Sequence, residues 1–206
     1  MRMARTAALA SATALAAGGV LFGASAVLAS TPEHSVRFSM VRSSAASGAG
    51  CLSGATAKVS IRSDGPTETM RVSATGLPPS TEFDLFVIQV PNAPFGVSWY
   101  QGDLESNSKG RANGTFVGRF SSETFTVAPN TAPAPVVHDG RDASSNPATG
   151  PVHQFHLGLW FNSPADAVAA GCPGATTPFN GDHTAGVQAL STRNFPALGP
   201  LSLISP

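Results

Sequence analysis

The sequence predicts an all-β protein, an antiparallel β-sandwich with one short helix in a late loop. Three observations point there. Apolar and polar residues alternate at Ala57, Val59, Ile61 and again at Met70, Val72, Ala74, the period-two pattern of half-buried strands. Candidate strands recur at short spacing, divided by turns such as Asp64-Gly65-Pro66. The 21 Gly and 17 Pro of the 206 residues, with 42% hydrophobic and only 12% charged side chains, suit tight turns around a packed core.

Taken in order, Val36 to Arg42 reads as a first strand. Ala57 to Ile61 and Met70 to Ala74 follow, the outward positions of the former being Lys58, Ser60 and Arg62. Phe83 to Val90 is nearly continuous in apolar residues and reads as a central strand. Phe95 to Tyr100, Thr115 to Phe120 and Thr124 to Ala128 are further strands. Residues 129–150 form a long Pro-rich loop. Val152 to Phe161 is the longest late strand, and Gly186 to Leu190 the last. Ser163 suits a helix N-cap, Pro164 the first helical position, Asp166 an acidic capping-box residue and Gly171 the stop, so a helix is expected over 164–170. No fixed-period repeat occurs, which argues against a propeller or solenoid.

The N-terminus reads as a targeting segment. Met1-Arg2-Met3-Ala4-Arg5 is basic, residues 7–29 carry no charge, and Val27-Leu28-Ala29 places small residues at the positions a signal peptidase favours. Residues 1–29 are therefore expected to be a secretory signal peptide. Residues 30–206 are then one secreted, extracellular β-sandwich domain with no membrane span after cleavage; a retained segment would act as an anchor instead. The whole chain has 12 basic and 12 acidic residues. Cleavage would remove Arg2 and Arg5 and leave the domain slightly acidic, a balance that argues against nucleic acid as a partner. Cys51 and Cys172 are the only two cysteines. In an exported chain they are expected to form one structural disulfide. They lack Cys-x-x-Cys spacing, so nothing supports a redox role.

Val72-Ser73-Ala74-Thr75-Gly76-Leu77-Pro78-Pro79-Ser80-Thr81-Glu82-Phe83 resembles the strand–turn–strand step of fibronectin type III and other immunoglobulin-like domains. The resemblance implies an immunoglobulin-like sandwich. Phe83 stands where those domains carry Tyr, so a tyrosine-corner hydroxyl bond is lost. Trp99-Tyr100-Gln101-Gly102-Asp103 and Phe179 to Gly186 are similar to uncharacterised exported bacterial proteins and bring no activity with them. The order of His153, His156, Cys172, Phe179 and His183 also resembles copper/zinc superoxide dismutases. Two copper ligands there alternate as His-x-His, whereas His153 and His156 are spaced His-x-x-His and would face opposite sides of an unbroken strand.

Three groups of residues could carry function. His138, His153, His156 and His183, with Asp139 and Asp182, offer imidazole and carboxylate ligands for zinc or copper. Trp99 and Tyr100, beside Asp103, could stack on a sugar and read its hydroxyls, although adjacent strand residues point to opposite faces. Asp103 to Gly110 places oxygen ligands at alternate positions like a calcium loop, but Ser108 replaces the turn Gly and Gly114 the terminal acid, so it reads as a polar hairpin loop. Ser106-Asn107-Ser108-Lys109 matches Ser-x-x-Lys without its partner motifs, and no nucleophile elbow, zinc-protease helix, Walker loop or dinucleotide fingerprint is present. The reading is a non-enzymatic binding or surface-associated protein with no required cofactor. A zinc- or copper-binding protein, and a carbohydrate-binding or carbohydrate-active protein, are the alternatives.

Overall fold

The computed structural model describes residues 34–122, 124–127, 150–177 and 184–204. The signal segment, nearly all of the 129–150 loop, and His138, Asp139, Asp182 and His183 lie outside the described residues.

Among the described residues, ten strands and two short α-helices follow in chain order: β1 (Ser35–Arg42), α1 (Ser44–Gly48), β2 (Thr56–Ser63), β3 (Glu68–Thr75), β4 (Glu82–Ile88), β5 (Ser98–Glu105), β6 (Ala112–Gly118), β7 (Thr124–Val127), β8 (Gly150–His153), β9 (His156–Phe161), α2 (Pro164–Ala169) and β10 (Gln188–Ser191). Eight strands form one sheet in the order β5-β4-β9-β10-β1-β2-β3-β6, and β7 and β8 form a separate pair. Every strand pairing is antiparallel. The all-β, antiparallel expectation is therefore met. The sheet is continuous, however, because β1 serves both halves: Ser35 to Met40 pair with β2, while Val41 and Arg42 pair with β10. It curls until its outer strands meet and is nearly closed, like a barrel. At that seam, Phe116 of β6 lies against Gly102 of β5 and against Gly114.

The core follows from the alternation in sequence. Val36, Phe38 and Met40 of β1, Ala57, Val59 and Ile61 of β2, and Met70, Val72 and Ala74 of β3 all point inward. They share one cluster with Phe83, Leu85 and Val87 of β4 and Leu157, Leu159 and Phe161 of β9. The β4/β9 half is buried on its other face too, where Phe86, Ile88, Trp160 and Ala185 pack with Phe95. That double burial explains the unbroken apolar runs in β4 and β9.

Both helices are capped as their sequences dictate. Ser163 Oγ accepts from the Asp166 amide, and Pro164 occupies the first turn of α2. The shorter α1 is a finding beyond the sequence reading; Ser43 Oγ accepts from the Ala46 amide. The two helices end alike. Gly50 and Gly171 have positive φ, and the amides of the following Cys51 and Cys172 bond back to Ala46 and Ala167 carbonyls. Each is a Schellman stop, which needs a residue tolerant of left-handed backbone. The Cys51–Cys172 disulfide joins these two stops, with Cα atoms 5.4 Å apart across 121 residues of chain.

Several boundaries differ from the sequence expectation. Val152 to Phe161 is two strands, interrupted at Gln154 and Phe155. Phe95 is not in a strand; it sits in a turn with positive φ just after the cis Ala93–Pro94 bond. β5 instead runs on through Asp103 and Glu105, so only Asn107 to Gly110 turn, with Asn107 Oδ1 accepting from the Lys109 amide at 2.9 Å. Among the described residues, no helix is long and apolar enough to cross a membrane.

Candidate functional site

His153 and His156 fall on different strands of different sheets. His153 closes β8 and stacks on Phe155, rings parallel at 5.2 Å. His156 opens β9 and is fully buried. Its Nδ1 lies 2.9 Å from the Thr192 hydroxyl and its Nε2 lies 3.0 Å from the Ala197 carbonyl. A carbonyl only accepts, so Nε2–H donates and Nδ1 accepts from Thr192, which occupies both nitrogens of a neutral ring. Burial pushes the His156 pKa below its ordinary value, and the backbone groups of Ala197 and Thr192 pull it partly back. Among the described residues, no three His, Cys, Asp or Glu side chains gather to hold a metal ion.

Trp99 and Tyr100 are both accessible, at 55% and 44% exposure. Strand alternation by itself puts only one of two adjacent residues outside. Both emerge because β5 is an outermost strand of the sheet. Trp99 is opposite Val87, on the core side. Tyr100 is opposite Phe86 on the outer side, where its ring meets Phe86 edge-on at 5.6 Å. A bulge at Gln101 then returns Asp103 to the Tyr100 face, and the phenol donates to Asp103 Oδ1 at 2.6 Å. Asp103 is directly opposite Asp84, and Glu105 opposite Glu82. Desolvation, the Asp103 bond and the charges of Asp103, Asp84 and Glu82 all raise the Tyr100 pKa, so the phenol keeps its proton. Trp160 is fully buried in the aromatic cluster.

The third place was visible only in outline from sequence. The outer face of β1, β2, β3 and β6 presents the residues between the core positions. Register sets them in rows. Arg37, Ser60, Arg71 and Thr115 lie side by side across the four strands, and so do Ser39, Lys58, Ser73 and Asn113. Neighbouring strands stand about 5 Å apart and same-face residues along a strand about 7 Å. Lys58 is thus diagonal to both Arg37 and Arg71, with small hydroxyl or amide side chains filling the remaining positions. These residues line a concave groove of ≈ 550 Å³ that contains no carboxylate. A smaller depression continues it toward Arg62 and Asp64, which pair at 2.6 Å. Among the described residues, Arg37, Lys58 and Arg71 form no ion pair. The groove's signal in the sequence is the outward half of the strand alternation, Lys58, Ser60 and Arg62 in β2, whose inward half marks the core.

No protein-family profile matches the chain, and no curated protein matches it.

Proposed function

We propose that this chain is a secreted, non-enzymatic binding protein built as an immunoglobulin-like β-sandwich, whose ligand docks on the outer face of β1, β2, β3 and β6. One observation carries the reading: Arg37, Lys58 and Arg71 share a carboxylate-free groove and lack an ionic partner among the described residues. Like charges at such spacing lie within a Debye length and repel one another. A face shaped only for solubility intersperses the two signs. A ligand that brings the missing charge or hydrogen bonds resolves this. The immunoglobulin-like part is supported by the Gly76 to Phe83 element. Gly76 has positive φ, a Cβ there would strike the Gly54 carbonyl, Leu77 is buried and Phe83 enters the core. The turn that a tyrosine hydroxyl would brace is tied instead by buried Ser106, whose Oγ accepts from the Thr81 amide at 2.9 Å. Secretion is supported by the apolar leader and the disulfide.

The test is an array of neutral and charged polymers probed with the protein and with the Arg37→Ala/Lys58→Ala/Arg71→Ala variant. Binding should vanish in the variant while its circular dichroism and melting stay unchanged, and no bound probe should be cleaved. Undiminished binding by the variant, or product from any probe, overturns the reading. Tyr100 supports a second one, sugar stacking at the β5 edge, since its ring is half exposed and fixed by Asp103 and Phe86. Tyr100→Ala should then abolish binding of neutral sugars, and unchanged affinity would reject it.

A further inference from the structure

Taking the β1-β2-β3-β6 face as the binding surface, on which this step rests, we infer that its ligand is an acidic polysaccharide. The chemistry of the face alternates in two dimensions. Each cation is flanked, across the strands and along them, by a hydroxyl or amide: Ser60 stands between Arg37 and Arg71, while Ser39 and Ser73 flank Lys58. A sugar chain carrying carboxylate or sulfate groups presents the complement, fixed negative charges separated by neutral ring hydroxyls. Guanidinium groups bind such oxyanions through paired N–H donors, and the seryl groups serve hydroxyls as donor or acceptor.

The same face disfavours other polyanions. Its outward side chains include no aromatic ring on which an unpaired base could stack. Its apolar lining residues Phe38, Val59 and Val72 are buried toward the core, and Val117, exposed at the β6 end of the face, is a single small apolar side chain, so the face offers little to insert into a lipid surface. Its cations are spread over three neighbouring strands, with about 10 Å of sheet between Arg37 and Arg71, which suits an extended chain.

The experiment is titration calorimetry of the purified protein with five probes: heparin for sulfate, alginate for carboxylate, neutral dextran, duplex DNA and phosphatidylglycerol vesicles. Heparin, alginate or both should bind, and binding should weaken as salt rises. Lys58→Ala/Arg71→Ala should bind several-fold to about tenfold more weakly, as expected for loss of two exposed ion pairs. Lys109→Ala/Arg193→Ala removes equal charge from turns off this face and should leave affinity unchanged. Ser60→Ala/Ser73→Ala keeps the charge but should weaken the acidic polysaccharides several-fold, a loss that a purely electrostatic surface would not show. Dextran binding as tightly as alginate and heparin overturns the acidic assignment while leaving the docking face intact. Tighter binding of DNA or of vesicles overturns the polysaccharide assignment in favour of a nucleic acid or a membrane. Silence from all five probes overturns the ligand class, and the array with the triple variant then judges the face separately.

Discussion

Acid should destabilise this fold through His156. The ring is fully buried between Thr192 and the Ala197 carbonyl, and burial holds its folded pKa below the ordinary value of 6.5. In the unfolded chain the same ring takes up a proton near pH 6.5. The unfolded state therefore binds more protons in the window between the folded pKa and about 6.5. Stability is fully present above that window and falls as pH drops through it, by up to about 1.4 kcal/mol per pH unit. The loss accumulates until the pH reaches the folded pKa, and each unit is a sizeable part of a typical domain's 5–15 kcal/mol. Urea unfolding at pH 7.5 and pH 5.0, followed by tryptophan fluorescence, measures it. His156→Gln keeps a donor and an acceptor but cannot titrate, so the difference between the two proteins removes the contribution of every other ionisable group. Equal losses in both proteins would refute the argument, as would a wild type that gains stability toward pH 5.

Four more outcomes follow from the described contacts. Cys51→Ser/Cys172→Ser should lower stability by up to about 5 kcal/mol, because a 121-residue loop is released in the unfolded chain, as read from denaturant midpoints. Glu68→Ala should cost about 2–3 kcal/mol: the buried carboxylate accepts from the Ser121 amide at 2.8 Å and from its hydroxyl, and the amide would lose its partner. Gly158→Ala should cost about 1–3 kcal/mol in thermal melts, since its Cβ would collide with the Trp160 ring. Tyr100 is the only tyrosine, so ultraviolet titration reports it alone; it should ionise well above 10, and Asp103→Asn should bring it back toward that value.

The elements legible in the sequence were those whose signal is local. Ser163, Pro164 and Gly171 mark α2 because caps act within a few residues, and β2 and β3 announce themselves by strict alternation. The seven-residue stretch from Ser44 to Gly50 hid α1, because a single turn rich in Ser and Gly has no apolar period to detect. The break at Gln154 and Phe155 was hidden for a different reason: both are buried and neither is a Gly or Pro turn signal, so nothing local marks where pairing stops. The candidate site depended on information that no single strand contains. Arg37, Lys58 and Arg71 are unremarkable outward residues until register places them in adjacent rows. The exposure of both Trp99 and Tyr100 required knowing that β5 is outermost, a property of strand order.

The meeting of β5 and β6 bears on how this protein avoids sticking to itself. Outermost strands are templates for recruiting another chain. Here the two lie against each other, and Phe116 sits between them where Gly102 and Gly114 leave room for its ring. A side chain larger than hydrogen at either glycine would push that ring aside and uncover two backbone edges together. Exposed edges of this kind invite pairing with another chain, so two of the smallest residues in the sheet hold its seam shut.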